Sequence, residues 1–372
     1  MIYFDNAATS FPKPESVKRE IIKCLDEYSG NPGRSSHRLS LAAAEKIYSA
    51  RETVAELIGA KRPECVVFTY NATHALNLAI KSFITDNCHV LTSDFEHNAV
   101  IRPLERLKRD KGISYTNFSI EGDLKANLNK LKRSDTKGII TSIASNVTGD
   151  EIPLKLVSDY AKDNGLFLII DASQAIGHIK IDLSNCPCDA LCAPAHKALY
   201  GIQGCGFVYF CDNRRREGLI EGGSGYDSAN PYMPEFLPEG YEAGTPSTPA
   251  IATLEAGIKY IQSVGDEQIK AKLAELTSRA EEQLASLPSL KLYKSGIGIL
   301  SFNIGDIPSS FVASRLDKMD ICVRGGLHCA PSIHKRLGTL GQGAIRLSLS
   351  LFNTASEVDR IYTAIKEIIC EI

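Results

Sequence analysis

The feature that most constrains the fold is an alternation of short β-rich runs with amphipathic helices between residues 40 and 210. Helical stretches such as Ala99–Arg109 and Leu154–Asn164 lie between the β runs. Alternating units of this kind build a largely parallel sheet with helices on both faces. The predicted strands are Val66–Thr69, His89–Ser93, Ser114–Phe118, Gly138–Ala144, Leu166–Asp171 and Gly206–Phe210.

The rest of the chain predicts a second lobe. A chain of 372 residues exceeds the size at which one hydrophobic core stops growing. A loop rich in Gly, Pro and Ser runs from Gly222 to Pro249, and a long helical segment, Ile251–Leu284, leads to strands at Leu300–Ile304, Cys322–Arg324 and Ile345–Leu349. We therefore expect an α/β protein with a large, mostly parallel sheet domain (residues 15–250) and a smaller α+β domain (residues 1–14 and 251–372). The cleft between them is the natural ligand site.

Composition excludes several classes of function. The formal charge is −2, and Arg214–Arg216 is the densest basic cluster, which we interpret as a solvated turn. Neither a nucleic-acid partner nor a membrane partner is expected. The start MIYFDNAATS lacks the cationic and apolar regions of a signal peptide, so we expect a cytoplasmic protein. The 11 cysteines lack C-x-x-C spacing, which predicts neither a disulfide framework nor a metal site.

Three features point to one cofactor. Asp171 ends a buried strand, at the sheet edge where open α/β folds bind ligands. His196 and Lys197 precede a glycine-rich turn, and Thr69–Thr73 runs from a strand into a helix start that suits a phosphate. A lysine amine, a buried acid and a phosphate cradle are the three groups that pyridoxal phosphate needs. Taken singly, each is more often a cap or a solvated charge; their joint occurrence favours the cofactor.

Nine spaced segments carry a family resemblance that runs from Tyr3 to about Thr354. They are YFDNAAT, FTYNATHALN, DFEHNAV, ASNVTG, DASQAIGH, HKALYGIQGCG, EAGTPS, RGGLHCAP and RLSLSLFNT. The chain resembles the class V aminotransferase family, and within it the cysteine desulfurase and selenocysteine lyase branch. The resemblance implies the fold-type I architecture of pyridoxal-phosphate enzymes and a homodimer.

The resemblance also implies a role for each matching residue. Those that would hold the cofactor are Lys197 as covalent anchor, Asp171 at the ring nitrogen, Gln174 at the ring hydroxyl, His97 on the ring face, Thr73 and His196 at the phosphate, Ala72 and Asn146 as further contacts, and Thr245 reaching the phosphate of the neighbouring subunit. Arg346, Asn146 and Asn6 would bind the substrate. A structural histidine at His97 and a surface ion pair at Arg346 are the alternatives.

One position departs from the family pattern. The family usually has a serine two residues before the His-Lys pair, whose hydroxyl contacts the phosphate. Here that position is Pro194, which has neither a hydroxyl nor an N–H. Another group must take this place, or cofactor affinity is lower.

Cys329 indicates the reaction type. By the resemblance it would attack the sulfur of substrate cysteine and carry a persulfide, with L-alanine as the second product and His97 assisting proton transfers. We expect His328 and Arg324 to favour its thiolate. A packed structural thiol is the alternative, and it is our interpretation of the other ten cysteines. The competing functions are a selenocysteine lyase and an aminotransferase of the same fold. The short loop that follows Cys329 resembles the group that often passes sulfur to a separate acceptor protein.

Overall fold

A computed structural model describes residues 1–33, 36–293 and 295–371. The strands are β1 (Ile2–Tyr3), β2 (Val66–Thr69), β3 (His89–Ser93), β4 (Ser114–Phe118), β5 (Thr136–Ser142), β6 (Phe167–Asp171), β7 (Ala190–Pro194), β8 (Gly206–Phe210), β9 (Leu290–Leu292), β10 (Ile299–Ile304), β11 (Ile321–Cys322), β12 (Arg324–Gly326) and β13 (Ala344–Ser348). The α-helices are α1 (Glu15–Glu27), α2 (Arg38–Leu57), α3 (Ala72–Phe83), α4 (Asn98–Lys111), α5 (Leu124–Leu131), α6 (Leu154–Asp163), α7 (Thr248–Val264), α8 (Asp266–Ala285), α9 (Ser309–Asp317), α10 (Pro331–Leu337) and α11 (Ala355–Glu371).

The large sheet has seven strands in the order β2-β8-β7-β6-β5-β3-β4. Five of them, from β7 to β4, are parallel neighbours, and β8 runs antiparallel between β7 and β2. β7 and β8 are buried throughout, as expected of strands covered by helices on both faces. The predicted α/β class with a mostly parallel sheet is confirmed. The sequence interpretation missed β7, a run of five residues that ends two positions before His196.

The topology brings the ends of several strands to one edge of the sheet. β2, β5, β6 and β7 all run toward this edge, and β8 starts there. Asp171 is the last residue of β6, opposite Ser142 on β5 and Cys192 on β7. The turn after β7 carries His196 and Lys197, and α3 begins three residues after β2. Motifs far apart in the chain therefore meet at this edge.

The helical segment after the long loop is two helices. Gly265, with φ 88°, separates α7 from α8, where we expected one helix to run through. The predicted domain boundary at residue 250 falls inside the first turn of α7, which packs against α1 and α2 of the large lobe. A Cβ at Gly257 would lie 1.9 Å from the carbonyl oxygen of Leu199, so this glycine lets α7 approach the turn that follows Lys197.

The second lobe is built on an antiparallel sheet in the order β12-β13-β10-β9. β1 at the N-terminus pairs with β11, which joins the first residues of the chain to this lobe. In the pairing of β12 with β13, Arg324 lies opposite Arg346. Across the described part of the chain, every helix is too short or too polar to cross a bilayer.

Candidate active site

A cavity of about 220 Å³ lies at this edge of the large sheet, against the second lobe. Nine of the residues singled out in the sequence line it: Ala72, Thr73, His97, Asn146, Asp171, Gln174, His196, Lys197 and Arg346. Cys329, Thr245 and Asn6 are outside the lining. The structure therefore brings together most of the expected site, drawn from both lobes.

Lys197 and Asp171 form the reactive end of the cavity. Burial lowers the pKa of Lys197 from 10.5 to about 8; the nearby Asp171 carboxylate acts in the opposite direction, and Arg346 and Arg324 lower it further. An amine with such a pKa is partly neutral near pH 8, so it can act as a nucleophile and as a base. The Asp171 Oδ1 accepts the Ser173 N–H at 2.8 Å, which fixes the orientation of the carboxylate.

Gln174 extends from the same turn. Its side-chain amide is buried and donates to the carbonyl of Ala7 at 3.1 Å. Ala7 and Ala8 also line the cavity, so the N-terminal segment closes the site beside β6. A side-chain amide has a second N–H, which is free to donate to a bound group.

The start of α3 forms one wall of the cavity. Asn71 is the N-cap, and its side-chain oxygen accepts the His74 N–H at 2.9 Å. Among the described residues no acceptor pairs with the N–H groups of Ala72 and Thr73. A Cβ at Gly206 would lie 2.7 Å from the backbone carbon of Asn71, so this glycine lets β8 approach the helix start. Free N–H groups at a positive helix end suit an anion such as phosphate.

His196 lines the same wall. Burial lowers its pKa to about 4, and the charges of Lys197 and Lys13 act in the same direction, so the ring is neutral at pH 7. Its Nδ1 is buried without a partner among the described residues. A buried ring nitrogen without a partner indicates that a bound group completes the site.

His97 is the N-cap of α4. Its Nδ1 accepts the Ala99 N–H at 3.0 Å, so in the neutral ring the proton sits on Nε2. Burial and the charge of Lys197 lower its pKa to about 4. The histidine thus has a structural role as a cap, which was our alternative interpretation, and it also faces the cavity.

Arg346 supplies positive charge from the second lobe. It is 1% exposed, so it is not a surface ion pair. Its Nη2 lies 2.7 Å from the Asp5 carboxylate, and its Nη1 donates to the Asn146 carbonyl at 2.9 Å, while its Nε has no partner among the described residues. Arg324, opposite Arg346 in the sheet, also lines the cavity. Two arginines at paired strand positions, both lining the cavity, make this a suitable place for a carboxylate.

Cys329 directly follows His328, which lines the cavity, on a turn held by the large lobe. His328 and Cys329 both have left-handed backbone angles, φ 50° and φ 57°. The Asn146 side chain donates to the His328 carbonyl at 2.7 Å, and the Asn98 N–H donates to the Cys329 carbonyl at 2.7 Å. The turn therefore forms at His328 and Cys329, whereas Gly325 and Gly326 lie in β12.

A second contact secures the helix that follows this turn. Arg336 on α10 forms an ion pair with Asp94 at 2.9 Å and another with Asp150 at 3.5 Å. Both acids belong to the large lobe. The segment that carries Cys329 is therefore fixed to the large lobe on either side of the thiol.

The sequence interpretation of His328 was wrong. Its ring is 3% exposed, its Nε2 lies 3.0 Å from the Ala344 carbonyl, and burial together with the charge of Arg346 lowers its pKa well below 6.5. A neutral ring cannot stabilise a thiolate by charge. Of the two residues expected to favour the Cys329 thiolate, His328 and Arg324, Arg324 is the one that carries a positive charge.

The cysteines differ from the expectation at four positions. Cys329 is exposed, in keeping with a reactive thiol. Six of the others are buried, as expected of structural thiols, but Cys186, Cys211 and Cys322 are half-buried and Cys370 is exposed. Exposure alone therefore does not distinguish Cys329 from Cys370; the position of Cys329 next to His328, which lines the cavity, does.

Two predicted residues lie elsewhere. The Asn6 amide donates to the Ser348 carbonyl at 2.8 Å, and its oxygen accepts the Phe11 N–H at 3.2 Å, so its polar atoms hold the N-terminal segment in place. Thr245 is exposed and its hydroxyl accepts a hydrogen bond from the Asn31 side chain at 3.4 Å.

Sequence reasoning missed two features of the site. Arg324 lines the cavity, although the sequence suggested for it only a role near Cys329. Glu96, next to His97, is 0% exposed and accepts hydrogen bonds from the Ser142 backbone (2.9 Å) and hydroxyl (2.8 Å). The signal for Glu96 was an acid directly before a motif histidine, but one sequence cannot tell a buried acid there from a solvated one.

The family of class V aminotransferases matches residues 2–361. A probable cysteine desulfurase of Pyrococcus abyssi is 32% identical, over 99% of this chain and 94% of its own. A cysteine desulfurase of Serratia proteamaculans is 30% identical, over 99% and 93%. The apo structure of a cysteine desulfurase from Thermococcus onnurineus, 30% identical, superposes with a TM-score of 0.92 over 100% of this chain and 95% of that one.

Proposed function

The chain belongs to the class V aminotransferase family, and on this premise we propose that it is a pyridoxal-phosphate-dependent cysteine desulfurase. It would convert L-cysteine to L-alanine and leave the sulfur on Cys329 as a persulfide. The observation that carries the proposal is the meeting of Lys197, Asp171 and Arg346 in one cavity, which His328 also lines, directly before the exposed Cys329. The relatives named cysteine desulfurase support the choice of substrate.

The polar groups of the cavity fit pyridoxal phosphate. The unpaired His196 Nδ1 and the free N–H groups of Ala72 and Thr73 suit its phosphate. Asp171 would hold a proton on the ring nitrogen, and Lys197 would anchor the cofactor covalently. When bound, the cofactor supplies a ring that accepts electrons as a bond of the substrate breaks.

The substrate carboxylate belongs at the second lobe. Arg346 and Arg324 offer N–H groups in the planar geometry that matches a carboxylate, and Asn146 lies between them and the Cys329 turn. A carboxylate bound here would direct the amino group of the substrate toward Lys197.

Two side chains would move protons. Lys197, with a pKa near 8, takes the proton from the substrate Cα once its amine is free. His97 presents a neutral ring with its proton on Nε2 and can donate it to, or recover it from, the substrate. The low pKa of His97 keeps the ring uncharged across the physiological range.

Cys329 would take the sulfur. Its thiolate attacks the sulfur of the substrate, so that an S–S bond forms as the Cβ–S bond breaks and the electron pair stays with Cβ. Protonation of that carbon leads to alanine. A thiol reductant or an acceptor protein then removes the outer sulfur from Cys329. Because this exchange needs a reducing environment, we propose a cytoplasmic enzyme.

We also propose a homodimer in which Thr245 serves the site of the partner subunit. Thr245 is exposed and outside the cavity of its own chain, which supports a role across an interface. Exposed apolar side chains on α1 and α2, among them Ile22, Leu25 and Tyr48, support an apolar contact in the same region. A monomer with full activity in light scattering and turnover assays would contradict this.

The activity is tested with purified protein, pyridoxal phosphate, L-cysteine and a thiol reductant, by quantifying alanine and sulfide. We expect equal amounts of both, lost in Lys197→Ala and in Cys329→Ser. Cys370→Ser is the matched control, since Cys370 is the other exposed cysteine; it should keep full activity. Sulfide release that survives Cys329→Ser would refute the persulfide step. Activity on selenocysteine alone would identify a lyase instead.

A further inference from the structure

One backbone carbonyl at the active site accepts four hydrogen bonds from the N-terminal segment. The His196 oxygen lies 3.0 Å from the Ser10 nitrogen, 3.1 Å from the Thr9 hydroxyl, 3.1 Å from the Ser10 hydroxyl and 2.9 Å from the Lys13 amine. This carbonyl belongs to the peptide bond that joins His196 to Lys197. The N-terminal segment therefore holds the link between a phosphate-facing side chain and the reactive lysine.

Lys13 brings a positive charge to this point without a negative partner. Its amine is half-buried and donates to the Ser10 hydroxyl at 2.7 Å as well as to the His196 carbonyl. Among the described residues no carboxylate pairs with it, and burial lowers its pKa to about 8. Its charge is one cause of the low pKa of His196, so its field reaches the ring that lines the cavity.

Asn71, Ala72, Thr73, Pro194 and His196 line the wall of the cavity at the start of α3. None of these five residues is a lysine or an arginine. Pro194, at the end of β7, has no N–H and no hydroxyl. A phosphate dianion bound at this wall would meet helix N–H groups, Thr73 and His196, but no lysine or arginine among the described residues that line the wall.

Resting on the proposed function, we propose that Lys13 is an electrostatic anchor for the cofactor phosphate. Held at the His196 carbonyl, its ammonium group balances the charge of the dianion and takes over from the hydroxyl that Pro194 does not provide. Among the described residues Lys13 has no acidic partner, and the phosphate wall of the cavity has no lysine or arginine. A bound phosphate would therefore supply the negative charge that Lys13 lacks.

The test compares two ligands on apo-protein, pyridoxal phosphate and pyridoxal, which lacks the phosphate. Lys13→Met keeps the length of the side chain and removes its charge. We expect it to weaken pyridoxal phosphate binding about tenfold, from the loss of one partly screened attraction, and to leave pyridoxal binding unchanged. Lys18→Met is the matched control, because Lys18 is exposed on α1 and pairs with Glu15; it should change neither affinity.

Four further outcomes decide the proposal. An equal loss of affinity for both ligands would show that Lys13 only positions the peptide, and would overturn it, as would no loss at all. Pro194→Ser in the Lys13→Met background should recover most of the lost affinity. Lys13→Arg keeps the charge and should bind pyridoxal phosphate like the parent protein, which covers the case in which Lys13→Met does not fold.

These measurements need no turnover. If the protein binds pyridoxal phosphate but releases no sulfide from cysteine, the proposed function is wrong, but the proposed role of Lys13 is not contradicted. If the parent protein binds no pyridoxal phosphate, both the proposed function and the proposed role of Lys13 are wrong. If the parent protein releases sulfide normally and Lys13→Met binds pyridoxal phosphate with unchanged affinity, the proposed role of Lys13 alone is wrong.

Discussion

Glu96 is a buried carboxyl group whose substitution should stabilise the protein in a pH-dependent way. It is 0% exposed and accepts hydrogen bonds from the hydroxyl of Ser93 and from the backbone and hydroxyl of Ser142. Among the described residues no cation pairs with it. Burial raises its pKa from 4.5 to about 7, and the charge of Asp171 acts in the same direction.

The sign and size of the effect follow from proton linkage. Between pH 4.5 and 7 the folded protein keeps the Glu96 proton that the unfolded chain has lost, so the free energy of unfolding falls as pH rises. At about 1.4 kcal/mol per pKa unit, the ionised carboxylate costs roughly 3 kcal/mol at pH 8 and about 1 kcal/mol at pH 5. Glu96→Gln removes this cost, because the amide has the same shape and its oxygen can still accept from Ser142.

The assay is thermal unfolding of the apo-protein at pH 5 and pH 8. With about 2.1 cal/mol/K of unfolding entropy per residue, we expect Glu96→Gln to raise the Tm by roughly 4 °C at pH 8 and about 1 °C at pH 5. Glu52→Gln, at an exposed position on α2, should change the Tm at neither pH. An equal gain at both pH values, or a lower Tm at pH 8, would refute the linkage argument.

Three further substitutions test the packing around the site. Arg51→Ala should cost about 3–5 kcal/mol in urea unfolding, because it leaves the Glu242 carboxylate, which Arg51 binds through two hydrogen bonds of 2.8 and 2.9 Å, without its partner; a loss below 1 kcal/mol would contradict this. Gly257→Ala should lower stability by about 1–3 kcal/mol and weaken cofactor binding, since the new Cβ would meet the Leu199 carbonyl at 1.9 Å; unchanged thermal unfolding and cofactor titration would show that the helix yields freely. Arg346→Lys should raise the KM for cysteine at least about tenfold through loss of the planar fork, and a steady-state KM equal to that of the parent enzyme would argue against carboxylate binding there.

Local sequence pattern was enough for most of the large sheet. Four of the six predicted strands, Val66–Thr69, His89–Ser93, Ser114–Phe118 and Gly206–Phe210, have the observed bounds. Their apolar runs end at polar or glycine residues, so the boundaries are visible in the chain itself. β7 escaped notice because its five residues lie close to a proline-containing turn on one side and end in Pro194 on the other.

Other elements depended on packing. The predicted strand Cys322–Arg324 is two short strands, because Cys322 pairs with the N-terminal β1 whereas Arg324 pairs with β13. The break between α7 and α8 at Gly265 was equally hidden, since a single glycine within an apolar period does not by itself end a helix.

The order and spacing of the motifs, read from the sequence alone, determined the family, the fold class and nine of the residues that line the cavity. Tertiary structure decided the protonation and the contacts of these residues. Burial makes His328 neutral, the fold places Arg324 opposite Arg346, and it sets the Lys13 amine 2.9 Å from the His196 carbonyl, 183 positions away in the chain. Sequence periodicity reports which side chains face a core, whereas charge and contact depend on desolvation and on distances between remote segments, which exist only once the chain has packed.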